Sequence, residues 1–255
     1  MTWTNTPIIP KIAHSLQRSV SLLVNSRYLK EAKIKKVLIW CDPDNTLTDA
    51  YNEKEALEVI LDYYEISYEV YVGNECSLEL FLSKYKDVEF DLVWLMCHGY
   101  FNFDNPNDSG LIISNSEIVK LSQLEINIPS RKERRLLVLN ACQSGCSTIR
   151  YDGMGFVGLG SSLSTPNQAV VGHLWSVHSF AASIFGPLFL TYILNGSSWG
   201  ESLNFSRMDM SRGKEEIQKS LEISIKKRIQ LLDSIEHRSV NLKEIIYWAS
   251  PILFE

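Results

Sequence analysis

The 255-residue sequence contains no apolar run of about 18 residues, the length that a membrane-spanning helix requires. Its first residues also lack the basic and apolar regions of a secretory signal peptide. Its five cysteines do not make a disulfide framework in a chain of this size. Three of them, Cys41, Cys97 and Cys142, lie within or at the end of strand-like runs, where small thiols are often buried. We therefore expect a cytoplasmic protein in a reducing environment, with no membrane attachment.

The chain also carries no excess of positive charge. The formal net charge is −5 and the pI is about 5.6, whereas nucleic-acid-binding proteins usually carry a basic patch. The longest basic cluster, residues 30–36, is interrupted by Glu31 and is typical of a solvated helix end. Direct nucleic-acid binding is therefore not expected. Residues 196–200 match the letters Gly-x-Ser-x-Gly but follow the helical run 179–194 and not a strand, so they make no nucleophile elbow. The chain also has no Gly-x-x-x-x-Gly-Lys loop, and both observations disfavour a hydrolase or transferase that acts on a small molecule.

Short apolar runs alternate with helical patterns along most of the chain. Strands are predicted at residues 37–41, 68–72, 91–96, 111–113, 136–139 and 169–175. Helices are predicted at residues 11–33, at 53–64 after an Asn52 cap, from Ser77, and at 116–121, 154–163 and 179–194. This alternation predicts an α/β fold with a mostly parallel sheet covered by helices on both faces.

The domain organisation follows from the same pattern. We expect one domain over residues 37–255, preceded by a helical N-terminal extension at 1–36. Residues 213–239 break the alternation and are predicted to form a charged helical insertion with one apolar stripe. The apolar segment 247–254 is predicted to close the chain as a strand or edge segment.

Two of the predicted strands run directly into a reactive side chain. One is followed by His98 and Gly99, and the other by Cys142. The carboxyl ends of parallel strands meet at one edge of a sheet, where an imidazole can take the proton of a thiol and later return it to a leaving group. The pattern therefore predicts a cysteine hydrolase, most simply a peptidase, with Cys142 as the nucleophile and His98 as the general base and acid. The backbone N–H groups of Gly99 and Cys142 are predicted to form the oxyanion hole.

Residues 140–145, Asn-Ala-Cys-Gln-Ser-Gly, resemble the nucleophile loop of the caspase-like (clan CD) cysteine peptidases. The wider pattern is similar to that of the CHAT subfamily, the bacterial relatives of caspases and separase. Its motifs occur in order at residues 98–99, 106–111, 138–145, 152–155, 170–177, 196–203 and 248–251. The resemblance implies a caspase-type three-layer α/β/α sandwich, endopeptidase activity by a Cys142–His98 dyad, and no metal or organic cofactor. It also implies a sensor on the same chain or on a partner, and a role in bacterial antiviral defence or programmed cell death.

The pocket for the substrate side chain before the cleaved bond, P1, is less well defined. Relatives that cut after Arg or Lys often carry Asp two positions before the cysteine, where this chain has Asn140. Asp42 and Asp44 can line this S1 pocket or simply form an Asp-Pro-Asp turn. Trp175 and Ser176 are the remaining candidates, and both a basic and a neutral, apolar P1 residue stay open. His173 and His178 are expected to be packing or surface histidines, and Cys146 an inert loop cysteine.

The partners expected for this chain are a protein substrate and a sensor or regulatory protein, or a second copy of the chain. Residues 1–36 and 213–239 can dock such a partner or pack on the sheet of their own domain. The alternative function is a catalytically silent interaction module that retains the caspase fold. The intact Cys-His pair argues against it, because a module without activity has little reason to keep both groups.

Overall fold

The computed structural model describes residues 15–16, 30–115, 117–149, 156–222, 230–238 and 240–255. Its strands are β1 (Ser15–Leu16), β2 (Lys36–Cys41), β3 (Ser67–Val72), β4 (Leu92–Met96), β5 (Gly99–Tyr100), β6 (Gly110–Ile112), β7 (Ile118–Lys120), β8 (Arg135–Asn140), β9 (Thr148–Ile149), β10 (Phe156–Val157), β11 (Gln168–His173) and β12 (Pro251–Phe254). Seven of them form the central sheet in the order β1-β12-β11-β8-β4-β2-β3. β5, β6 and β7 form a separate antiparallel sheet, and β9 pairs with β10.

The centre of the sheet is parallel, as predicted. β3, β2, β4, β8 and β11 pair in parallel, whereas β12 runs antiparallel to β11. All residues of β4 and β8 are buried, because helices cover both faces of these strands. In the register between them, Leu92 lies opposite Leu136 and Met96 opposite Asn140, so the two strands end side by side.

The helices form a layer on each face of the sheet. They are α1 (Thr48–Tyr63), α2 (Leu78–Tyr85), α3 (Leu121–Ile126), α4 (Leu159–Leu163), α5 (Ser179–Leu194), α6 (Trp199–Arg212), α7 (Lys214–Glu222), α8 (Gln230–His237) and α9 (Ile245–Trp248). Successive strand side chains point to opposite faces, which divides the core in two. Val37, Ile39 and Trp94 pack with α1 and with α5–α9. Leu38 and Val93 pack with α2, α3 and α4 on the other face, so the predicted α/β/α sandwich is confirmed.

Several predicted elements agree with the structure and others do not. α5 has the predicted bounds, and Ser77 caps α2 by accepting the Leu80 N–H at 3.3 Å. α1 begins at Thr48, before the predicted cap at Asn52, because the Asp42 carboxylate shapes the preceding turn. The predicted helix at 116–121 is strand β7 followed by α3. The segment 247–254 comprises the end of α9 and strand β12.

Three predicted segments are described only in part. Ser15–Leu16 form a strand parallel to β12, which corrects the predicted helix at these two positions, and most of residues 11–33 lies outside the described residues. Within 154–163, the described residues form β10 and then α4. Within 213–239, the described residues form α7 and α8, and residues 223–229 lie outside the description. In the described part of the chain, no helix is long and apolar enough to cross a membrane.

Candidate active site

The structure brings the two predicted catalytic residues to the same edge of the sheet. Met96 is the last residue of β4 and Asn140 the last of β8, and these two lie opposite each other. His98 and Cys142 each follow two residues later. Both side chains line one cavity of about 250 Å³. The shared register of two adjacent parallel strands therefore carries the imidazole and the thiol to one site.

The loop that carries Cys142 is held against β11. Ser144 Oγ lies 2.8 Å from the Ala141 carbonyl oxygen and accepts the N–H of His173 at 3.0 Å. The N–H of Gly145 donates to the His173 carbonyl at 2.8 Å. A Cβ at Gly145 would lie 3.0 Å from the His173 carbonyl carbon, so the loop packs closer to the strand than another residue would allow. Sequence reasoning missed this anchoring by Ser144, since nothing in the local pattern indicates which strand the loop contacts.

A short hydrogen-bonded chain holds His98. Its Nε2 lies 2.8 Å from Thr46 Oγ1, and Thr46 Oγ1 donates to Asp44 Oδ1 at 3.0 Å. A carboxylate only accepts hydrogen bonds, so the Thr46 proton points to Asp44 and the Thr46 oxygen accepts from His98. Nε2 of the neutral imidazole therefore carries the hydrogen. Nδ1 is left as the nitrogen that can accept a proton.

The nucleophile and the base are not yet hydrogen-bonded to each other in the described structure. The Cys142 thiol lies 3.9 Å from the Val177 carbonyl oxygen, while Nε2 of His98 faces Thr46 Oγ1 at 2.8 Å and Asp44 Oδ2 at 3.9 Å. The His98 side chain is 41% exposed, which leaves it room to turn toward the thiol. Catalytic hydrogen bonds are often long or absent before substrate binds, so this arrangement is compatible with a Cys-His dyad.

Gly99 lies against the backbone of Cys142. A Cβ at position 99 would lie 2.7 Å from the Cys142 carbonyl oxygen and 3.2 Å from the Ala141 Cβ. The close approach therefore requires glycine. It places the two predicted oxyanion donors, the N–H groups of Gly99 and Cys142, on neighbouring stretches of backbone. Their role in oxyanion binding stays a prediction.

Of the five predicted S1 residues, Asn140 lines the cavity. The other four do not. Asp42 is buried, and its Oδ1 accepts the N–H groups of Thr46 at 2.8 Å and Leu47 at 2.9 Å, so it is a turn residue. Asp44 accepts the hydroxyl of Thr46, which in turn holds His98. Trp175 donates its indole N–H to the Ile246 carbonyl at 3.1 Å, and Ser176 is exposed.

The base of the cavity carries a carboxyl group that sequence reasoning missed. Glu53 of α1 is 2% exposed, and both of its carboxyl oxygens lie 2.7 Å from Asn140 Nδ2. Its Oε1 also accepts the indole N–H of Trp94 at 2.9 Å. Burial raises the pKa of Glu53 to about 8, and the two hydrogen bonds oppose that rise only in part. A usable signal existed: with α1 starting at Thr48, Glu53 falls on the same helix face as the buried Ala50 and Leu57.

A second buried group orients Asn140. His173 Nε2 lies 2.8 Å from Asn140 Oδ1, and burial lowers the pKa of His173 to about 3, so its ring is neutral. The ring N–H donates to the amide oxygen, which turns the Asn140 amide nitrogen toward Glu53. His178 instead caps α5, where its Nδ1 accepts the Phe180 N–H at 3.2 Å. Neither histidine lines the cavity. Among the residues that the structure describes, no cluster of three His, Cys, Asp or Glu side chains is placed to hold a metal ion.

A mostly parallel sheet in an α/β/α sandwich, with histidine and cysteine after two adjacent strands, is the fold of the caspase-like cysteine peptidases. The CHAT-domain family model matches residues 6–254, and the chain belongs to the CHAT-domain family. The matched range includes most of the segment at 1–36 and all of residues 213–239. A search of curated proteins gives no match.

Solved structures of known proteases share this fold. Saccharomyces cerevisiae separase, in its complex with securin, is 14% identical with a TM-score of 0.54, and the match covers 92% of this chain and 13% of separase. The Arg-specific cysteine proteinase gingipain R is 8% identical with a TM-score of 0.53, with coverage of 92% and 51%. A Porphyromonas gingivalis complex of gingipain pro- and mature domains is 8% identical with a TM-score of 0.50, with coverage of 91% and 51%. The chain thus spans between 13% and 51% of these proteins, and the likeness shows the fold alone.

Proposed function

We propose that this protein is a cysteine endopeptidase that uses a Cys142–His98 dyad. The observation that carries the proposal is the register of β4 and β8, which brings both side chains to the wall of one cavity. The nucleophile loop is anchored to β11, and the histidine is fixed in one tautomer by Thr46 and Asp44. Both features support catalysis by a positioned thiol and imidazole.

The proposed reaction has two stages. His98 Nδ1 accepts the Cys142 proton, and the thiolate attacks the peptide carbonyl carbon. The N–H groups of Gly99 and Cys142 stabilise the oxyanion. The C–N bond then breaks, and the imidazolium gives its proton to the leaving amine. In the second stage His98 takes a proton from water as the water oxygen attacks the thioester carbonyl carbon. The C–S bond then breaks to release the carboxyl product, and the imidazolium returns a proton to the Cys142 thiolate.

We further propose that the enzyme is a regulated effector that cleaves a specific protein target in the cytoplasm. One contact supports regulation: the Cys142 thiol lies near the Val177 carbonyl oxygen, at 3.9 Å, and has no hydrogen bond to His98 in the described structure. A sensor protein, or a second copy of the chain, would order the site by moving the thiol toward Nδ1 of His98. The role we propose by family analogy is bacterial antiviral defence or programmed cell death.

A P1-varied library of fluorogenic peptides tests the activity, with wild-type protein and the Cys142→Ala variant side by side. We expect cleavage that is lost in Cys142→Ala. Cys146→Ala is the matched control, because Cys146 lies in the same loop, contacts the Leu174 carbonyl at 2.9 Å and does not line the cavity. Equal loss in both variants would contradict the assignment of Cys142. A biological effect that persists in Cys142→Ala would favour a catalytically silent interaction module.

A further inference from the structure

We infer that Glu53 selects a cationic P1 side chain, so that the enzyme cleaves after arginine or lysine. The inference rests on the proposed peptidase function and assigns the substrate class of the same site. It starts from the shape of the cavity, which has Cys142 and His98 at its mouth and Glu53 at its base. Its walls are mainly apolar and comprise Leu47, Ala50, Met96, Ala141, Val177 and Ala182. Apolar walls with a carboxyl group at the end suit a long aliphatic stem that carries a positive head.

The surrounding elements are built around the Glu53 carboxyl group. Trp94 of β4 and Asn140 of β8 each donate to it. On the side of α5, a Cβ at Gly186 would lie 2.3 Å from Glu53 Oε1, so the absence of a side chain there makes the space for the carboxyl group. Asn140 is in turn oriented by His173. A carboxyl group held this closely on several sides has one defined position at the base of the cavity.

Among the residues that the structure describes, no Lys or Arg forms an ion pair or hydrogen bond with the Glu53 carboxyl group. The ion pairs that the structure describes do not include Glu53, and its hydrogen-bond donors are neutral. A carboxylate offers about four acceptor positions, so these donors leave capacity for an incoming guanidinium or ammonium group. A cationic side chain supplies the counter-charge that the ionised form of this buried carboxyl group lacks. An acidic P1 residue would oppose the ionisation of Glu53, and a neutral P1 residue would supply no counter-charge.

The groups that face Glu53 make its ionisation depend on the substrate. His173 of β11, which contacts Asn140, is neutral, and Cys41 of β2, which feels the charge of Glu53, has a thiol pKa that is raised chiefly by burial. On its own helix, Lys54 pairs instead with Glu58 at 2.7 Å. With a pKa of about 8, Glu53 is protonated at neutral pH in the empty pocket. A cationic P1 side chain therefore binds with release of a proton, and its advantage over a neutral P1 side chain grows as the pH rises toward 8.

The test compares peptides that differ only at P1: arginine, lysine, citrulline, norleucine and aspartate. Citrulline keeps the shape of arginine without its charge. We expect kcat/KM for arginine or lysine to exceed that for citrulline by about 100-fold. Glu53→Gln should bring the ratio of kcat/KM for arginine to that for citrulline close to one. The ratio is taken within each variant, so a general loss of activity does not affect it. Glu58→Gln is the matched control, because it removes a carboxylate from the same helix outside the cavity.

A binding measurement separates this inference from the proposed activity. The Cys142→Ala variant is titrated with the arginine and citrulline peptides by calorimetry at pH 6 and pH 8, which requires no turnover. Tighter binding of the arginine peptide, with a larger advantage at pH 8, supports the role of Glu53 even if no peptide is cleaved. Equal binding of the two peptides, or Cys142-dependent cleavage that prefers a neutral or acidic P1 residue, overturns it. Cleavage with no P1 charge preference would leave the peptidase intact and remove Glu53 from specificity.

Discussion

The buried Glu53 carboxyl group predicts an unusual dependence of stability on pH. Its pKa rises from 4.5 in the unfolded chain to about 8 in the folded one, because burial disfavours the charged form. Between these values the folded state holds a proton that the unfolded state has lost. The contribution is therefore fully present below pH 4.5 and is lost as the pH rises through about 8.

The Glu53→Gln variant isolates this effect. Glutamine cannot ionise, so its fixed packing cost is the same at every pH. Between pH 6 and pH 9 the free energy of unfolding of the wild-type protein should fall by roughly 2.5–3 kcal/mol more than that of the variant. This pH range is chosen because it spans the pKa of about 8 that Glu53 has in the folded protein.

Urea denaturation at several pH values measures the difference. Glu58→Gln is the control, because Glu58 is a partly exposed residue paired with Lys54, and it should follow the wild-type slope. If the stability curves of wild-type protein and Glu53→Gln run parallel from pH 6 to pH 9, then Glu53 is already ionised in the folded protein. That result would refute the reasoning about the buried acid.

Three further substitutions test the site. Thr46→Val removes the acceptor for the His98 Nε2 hydrogen and should lower kcat about tenfold, whereas Thr46→Ser should keep most of the activity. Equal activity in both variants would contradict the assigned tautomer of His98. Gly99→Ala places a Cβ 2.7 Å from the Cys142 carbonyl oxygen and should lower kcat/KM at least about tenfold with the fold retained by circular dichroism. Gly186→Ala places a Cβ 2.3 Å from Glu53 Oε1 and should lower the free energy of unfolding by about 1–3 kcal/mol. An unchanged melting temperature would show that the carboxyl group of Glu53 does not lie against position 186.

Local signals in the sequence were enough to predict the main architecture and to place His98 and Cys142 directly after two strands. The apolar runs before His98 and Cys142 are strands because both faces of β4 and β8 are buried, and that burial leaves a continuous apolar pattern. The bounds of α5 were predicted correctly, from the apolar run that extends over residues 179–194. The pairing of His98 with Cys142 followed from the rule that parallel strands end at one edge.

The residues that line the pocket could not be identified from the local sequence pattern. The start of α1 depends on the Asp42 carboxylate, which accepts the N–H groups of Thr46 and Leu47, and the sequence was equally compatible with a cap at Asn52. That difference moves Glu53 from an expected helix terminus to a buried face. The same hydrogen bonds hold Asp42 in that turn, outside the lining of the cavity.

What the sequence determined by itself is the class of fold, the positions of the central strands and the location of His98 and Cys142 just after two of those strands. Each of these is encoded within a run of neighbouring residues that hydrophobic burial and strand geometry constrain directly. Only the tertiary structure decided that Trp94 and Asn140 meet at the carboxyl group of Glu53, and that Glu53 and Asn140 line one cavity. These side chains come from three elements far apart in the chain, and their hydrogen bonds form only when packing has set the distance between helix and sheet.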